Sequence, residues 1–135
     1  MPELPEVQTT VNGLNRTVKG RTIVGIETTY NSKFYKNKED IKNPEFFKKF
    51  RKKVIGQKIL KAERRAKNIS IRLSGGVTIL VHMKMTGHFV YNKPNHPFVR
   101  LDFELDNGKH LSLSDMRRFA KVTFLTSDHL KDLGP

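Results

Sequence analysis

From residue 58 onward the chain follows period two, which constrains its fold more than any other feature. Residues 58–63 and 69–73 read as strands, and Ser74-Gly75-Gly76 reads as a turn. Val77, Ile79, Val81, Met83 and Met85 then alternate with Thr78, Leu80, His82, Lys84 and Thr86. Such alternation puts one set of side chains on each face of a strand. Residues 99–105, Asp106-Asn107-Gly108 and residues 109–113 predict a hairpin, since Asn and Gly tolerate the positive φ of a tight turn. Strands are also expected at 22–30, 88–91 and 120–126. Helical spacing is confined to Val7, Val11, Leu14 and Val18, with Gly20 as the stop, and to Phe46, Phe47 and Phe50. These predict helices over 5–18 and 44–53, with a polar, lysine-rich loop over 31–43. The expected fold is α+β and mainly β: a two-layer β-sandwich, or flattened barrel, of about eight antiparallel strands flanked by two helices.

At 135 residues the chain fits one domain. Lys and Arg total 26 against 13 for Asp and Glu, a formal charge of +13. Such an excess repels itself in a compact fold, so a polyanionic partner is its natural explanation, nucleic acid first and an anionic membrane surface second. No stretch approaches the roughly 20 apolar residues of a spanning helix. The first residues carry glutamates and no apolar core of a secretory signal, so an intracellular, cytoplasmic or nucleoid-associated protein is expected. There is no cysteine, which excludes disulfides, thiol catalysis and a cysteine-ligated zinc within these residues. His82, His88, His96, His110 and His129 show no ligand-like spacing, and no metal or other cofactor is expected in this chain.

The chain opens Met1-Pro2-Glu3-Leu4-Pro5-Glu6-Val7. One reading is an ordinary helix start, with Pro5 in the first turn and Glu6 at the positive end of the dipole. The other needs Met1 removed. Pro2 then carries a free secondary amine with a pKa of about 8, able to attack an electrophilic carbon and form an iminium. Basic residues crowd together from Lys48 to Lys67, with Glu63 the single acid among them. That density fits phosphate neutralisation as well as a solvated face. Phe119 alternates out of the core face set by Ala120, Val122 and Phe124, beside Arg117 and Arg118, so it either wedges into a base stack or covers a small cluster. Met85 is core by periodicity, unless Gly87 ends the strand and leaves it on a loop. Lys67 is either solvated or a fixed cation beside a phosphate or a reacting centre. His82 either contacts a phosphate or caps a carbonyl.

Taken together these motifs resemble the formamidopyrimidine-DNA glycosylase / endonuclease VIII family, in its formamidopyrimidine branch. The resemblance rests on Pro2-Glu3-Leu4-Pro5-Glu6-Val7, Arg64-Arg65-Ala66-Lys67, His82 with Met85-Thr86-Gly87, Asp106-Asn107-Gly108, and Asp115 with Arg117-Arg118-Phe119, all in family order. It implies the N-terminal catalytic domain of a base-excision enzyme that flips oxidised purines from duplex DNA and also cleaves the abasic strand. By that resemblance Pro2 is the nucleophile, Glu3 the acid assisting sugar opening and proton transfers, Glu6 a supporting carboxylate and Lys67 a lysine on the lesion's phosphate. Met85, Arg117 and Phe119 would fill the gap left by the flipped nucleotide, with Arg118 beside them. His82 and His96 would fall near DNA-backbone contacts. The implied partner is damaged double-stranded DNA, bound by a monomer.

The sequence also departs from the family pattern. Lys84 stands where glycine is common, Met116 where proline is usual, and Ala120 where glycine is usual. Family members continue into a helix–two-turn–helix module and a zinc finger, neither of which residues 1–135 contain. The breaker residues Leu133-Gly134-Pro135 read as a domain boundary. A non-catalytic domain that binds damaged DNA with the same fold is the competing expectation. RNA binding would follow from charge alone but leaves the Pro-Glu opening unexplained.

Overall fold

The computed structural model describes residues 4–29, 40–84, 87–93, 95–116 and 120–126. Among them the order is α1 (Leu4–Thr17), β1 (Ile23–Thr28), α2 (Pro44–Val54), β2 (Ile59–Arg65), β3 (Asn68–Leu73), β4 (Val77–His82), β5 (His88–Tyr91), β6 (Val99–Leu105), β7 (His110–Ser114) and β8 (Lys121–Thr126). The strands form two sheets, ordered β1-β6-β7-β5 and β2-β3-β4-β8. Every pairing is antiparallel. The expected eight-stranded α+β sandwich is the observed fold.

Period two does what it predicts. Ile69, Ile71 and Leu73 of β3, Val77, Ile79 and Val81 of β4, Leu101, Phe103 and Leu105 of β6, and Leu111 and Leu113 of β7 form the buried layer. Burying each such side chain contributes about 1.5–3 kcal/mol relative to leaving it in water. Four outer-face positions break the alternation, since Ser70, Thr78, Ser112 and Ser114 are also buried. All four are short: Leu80 and Glu63 flank Ser70 and Arg72 and Leu125 flank Thr78 across the ladder, while the Ser112 and Ser114 hydroxyls donate to Asp102 Oδ1 and Pro97 O. The predicted hairpin joins β6 to β7. Leu105 N–H donates to Lys109 O at 2.9 Å, and Gly108 takes φ +80°.

The helices and loops answer the open edges of the sheets. α1 packs on β2, β3 and β5. The Asn15 side chain accepts from Ala62 N–H at 2.8 Å and donates to Ala62 O at 3.0 Å, filling a gap on the free edge of β2. Higher on that edge, Gly20 N–H donates to Ile59 O and Thr22 forms an isolated bridge with Lys58. That excursion is why β1 starts at Ile23 and not at the expected residue 22. α2 serves the opposite edges. Phe50 lies against Phe103 and Phe124, Phe46 lies against Phe124, and Arg51 Nε donates to Ile26 O of β1 at 3.4 Å. Just before α2, Ile41 N–H donates to Val122 O of β8 at 3.1 Å. Asn43 caps α2 by accepting from Glu45 N–H at 3.0 Å, and Pro44 follows in the first helical position. Of the loop expected over 31–43, residues 31–39 lie outside the described residues, as does Tyr30 of the first expected strand.

Asn15→Ala should leave both polar groups of Ala62 without a partner. We expect it to cost about 2–3 kcal/mol, seen in urea unfolding as a lower midpoint at unchanged slope. Asn12→Ala, on the exposed side of the same helix, should stay within about 0.5 kcal/mol.

Candidate nucleic-acid interface

One end of the sandwich brings together those candidate residues that are described. α1 runs antiparallel to β2, because Asn15 meets Ala62 while Gly20 meets Ile59. From Asn15 back to Glu6 is about 13.5 Å of helix, and from Ala62 forward to Arg65, the last strand residue before the Ala66-Lys67 turn, is about 10 Å of strand. Glu6 and the Ala66-Lys67 turn therefore reach the same end. β4 arrives there at His82 and β8 leaves from there at Lys121, the two being register partners. Asn68, next to Lys67, is the other partner of His82. In the second sheet the β5 start at His88 pairs with the β7 end at Ser114.

This end is strongly positive. Lys67 is exposed in a turn whose Ala66 takes φ +54°, held by Arg64 Nη1 donating to Ala66 O at 3.2 Å. His82 is half-buried, and its Nδ1 accepts from the backbone N–H of Lys84 at 3.2 Å. Burial, and then the charges of Lys84, Lys67 and Lys121, hold its pKa below the ordinary 6.5. His82 thus sits neutral among three cations, an arrangement that a phosphate would satisfy. Glu6 is exposed in the first turn of α1, where a carboxylate complements the dipole. His96, in the β5–β6 loop, stacks edge-on against His88 with ring centroids 5.6 Å apart. It also lines a cavity of about 440 Å³ with Asp102, His110 and Ser112. Glu6, Lys67, His82 and His96 are thus placed. Pro2, Glu3, Met85, Arg117, Arg118 and Phe119 lie outside the described residues.

The frames of the two candidate loops are described. Gly87 N–H donates to Met83 O at 3.1 Å, and Lys84 takes φ +58°. A glycine would adopt that φ without strain, so the Lys84 departure is accommodated at some backbone cost. In the other frame Asp115 is fully buried, and its Oδ2 accepts from Ala120 N–H at 2.7 Å across residues 116–119. Arg100 donates to Asp115 O at 2.9 Å and to Met116 O at 3.4 Å, and Asp115 N–H donates to Phe98 O at 2.9 Å. Asp115 and Arg100 are the framing residues that sequence reasoning left without a role. Asp115 offered a signal, a carboxylate five residues ahead of a strand amide, whereas Arg100 offered none. The frames touch each other. A Cβ added at Gly87 would lie 2.7 Å from Met83 O and 3.1 Å from the Ala120 Cβ. The alanine at 120, where glycine is usual in the family pattern, packs directly against Gly87 of the neighbouring turn.

Residues 1–122 match the family model of the formamidopyrimidine-DNA glycosylase N-terminal domain. The chain belongs to that family. A formamidopyrimidine-DNA glycosylase of Pelotomaculum thermopropionicum is 37% identical over 136 residues, covering 98% of this chain and 46% of that protein. One of Protochlamydia amoebophila is 36% identical, covering 99% of this chain and 47% of that protein. The chain thus spans about half the length of the curated relatives it matches. Among solved structures, Lactococcus lactis Fpg in complex with abasic-site DNA superposes with a TM-score of 0.82 at 22% identity, over 98% of this chain and 47% of that one. MutM in complex with carbocyclic 8-oxo-G DNA gives 0.82 at 23% identity, over 98% and 48%. These likenesses establish the glycosylase-domain fold. The chain has no cysteine, and among the described residues no group of three or more metal-ligating side chains converges. The residues of this domain do not fit the zinc finger expected elsewhere in the family. Among the described residues no helix is long and apolar enough to cross a membrane.

Two outcomes test this site. In an imidazole NMR titration His82 should titrate below 6.5, and Lys84→Gln should move it back toward that value. The unfolded chain takes up this proton first on acidification, so the His82 contribution to stability is complete above about 6.5 and declines as pH falls below it. A midpoint at or above 6.5 would contradict this placement of His82, half-buried among the lysines. Gly87→Ala should destabilise the domain by about 1–3 kcal/mol, because the added methyl meets backbone. Gly13→Ala, with open space around it on α1, should be neutral or stabilising.

Proposed function

We propose that residues 1–135 form the catalytic half of a bifunctional DNA glycosylase and abasic-site lyase in base-excision repair, acting on oxidised purines such as 8-oxoguanine and formamidopyrimidines. The observation that carries this reading is the single end of the sandwich at which the α1 start, the exposed Lys67 and the neutral His82 among its cations converge, in a chain of the glycosylase family. The partner is damaged duplex DNA, bound by a monomer in the cytoplasm or on the nucleoid.

With Met1 removed, the Pro2 nitrogen attacks C1′ of the flipped nucleoside and the N-glycosidic bond breaks. The base departs with the bonding pair and takes up a proton. Glu3 assists opening of the sugar and the proton transfers, with Glu6 as a supporting carboxylate. The resulting iminium withdraws electrons from C2′, whose proton is lost as the 3′-phosphate leaves, and a second elimination releases the 5′-phosphate. Lys67 holds the lesion's phosphate, and His82 and His96 contact the backbone nearby. Met85, Arg117 and Phe119 fill the space vacated in the stack, with Arg118 beside them. The electron sink is the chain's own amine, so the proposed chemistry draws on no cofactor.

Borohydride reduction during incubation with duplex DNA carrying 8-oxoguanine or an abasic site should trap a covalent adduct, once intact mass shows Pro2 as the first residue. Lys67→Ala should lower the yield about tenfold or more, as expected for a lost charge-assisted contact of about 1.5–3 kcal/mol. Salt-dependent binding with no adduct, from protein whose Met1 is removed, would replace this reading with a non-catalytic damaged-DNA-binding domain.

A further inference from the structure

The structure divides the basic run from Lys48 to Lys67. Lys67 belongs to the site end, on the β2–β3 turn. α2 lies against β1 and β8, the sheet edges opposite the β2 edge that carries α1. Five of its eleven residues are basic and one is acidic. Phe50 and Val54 face the core, and Lys48, Lys49, Lys52 and Lys53 are exposed. At 100° per residue these four lysines span an arc of about 140° that excludes Phe50 and Val54.

The fold explains only part of this charge. Arg51 turns away from the stripe to Ile26 O and lines a groove with Glu27 and Glu104. Lys48 lies 3.9 Å from Glu45. Among the described residues no carboxylate comes within 4.0 Å of Lys49, Lys52 or Lys53. Lys48 with Lys52 and Lys49 with Lys53 are like-charge pairs at i,i+4, which destabilise a helix. Edge-strand protection does not account for lysines on a helix. A polyanion does.

We propose that the exposed lysine stripe of α2 is a second DNA-binding surface, separate from the site end, that grips the phosphate backbone of undamaged duplex without reading sequence. From Lys48 to Lys53 the helix axis covers about 7.5 Å, along which a duplex presents about four phosphate charges. The occupant is duplex DNA because the stripe is cationic throughout. A helix that inserts into an anionic bilayer also presents apolar side chains beside the charges, and on α2 the phenylalanines pack toward the core.

The test compares two triple variants of the chain with equal charge loss. One is Lys49→Gln, Lys52→Gln, Lys53→Gln; the other is Lys19→Gln, Lys61→Gln, Lys109→Gln. Binding to an undamaged duplex is measured by fluorescence anisotropy from 50 to 200 mM salt. Each lost phosphate contact lowers the slope of log affinity against log salt by about 0.9. The α2 variant should therefore lose about 2–3 of the slope and the control less than about 1. Its circular dichroism should be unchanged and its thermal midpoint equal or higher, since like charges are relieved. Equal slopes for the two variants, or a stripe variant that loses only binding to anionic vesicles, would overturn the proposal. Trapping of abasic DNA by the stripe variant at saturating protein reads the separate repair chemistry.

Discussion

The edge of a β-sheet presents unpaired N–H and C=O groups that must meet water or a partner. In this sandwich one side-chain amide does this at the decisive place. Asn15 answers both backbone groups of Ala62 and so locks the register and direction of α1 against β2. The rest of the site follows from that lock. The start of the helix is carried to the end of the sandwich where the β2–β3 turn exposes Lys67. β4 and β8 bring His82 and Lys121 to the same level through the ladder. Apolar burial is non-directional, whereas the two Asn15 hydrogen bonds fix one position along that edge.

Order within the site end comes from buried polar contacts. The Asp115 carboxylate and the Arg100 guanidinium fix both margins of residues 116–119, and the Gly87–Ala120 contact couples that loop to the turn after β4. Positive charge is gathered around a histidine kept neutral by burial and by its lysine neighbours. That arrangement repels itself without a phosphate and becomes favourable with one, so the electrostatics favour binding over isolated stability. The α2 stripe repeats this logic on the opposite edges. Only charge is arrayed there, with nothing that resembles chemistry.

Alternation in β3, β4, β6 and β7 was legible because one face of each strand is buried between the sheets. The Asp106-Asn107-Gly108 turn was legible because its positive φ is a local demand. Pairing of β1 with β6, and the excursion of Thr22 to Lys58, were not, because both are settled by contacts distant in sequence. The burial of Ser70 and Thr78 depends on longer neighbours across the ladder, which a single strand's pattern does not show. Lys67 and His82 were singled out by ordered motifs. Arg100 was not, since a lone arginine in a strand carries no local sign of the carbonyls it will bind. The basic run from Lys48 to Lys67 looked like one feature in sequence and became two surfaces, because the chain turns between α2 and β2.

The central claim is that DNA becomes attached at the start of α1, and locating that bond tests it most directly. Tandem mass spectrometry of the peptides from a borohydride-reduced complex with abasic DNA should find the sugar remnant on the nitrogen of Pro2, with Met1 absent. A remnant on Lys67, or on any other lysine of this basic chain, would contradict the account.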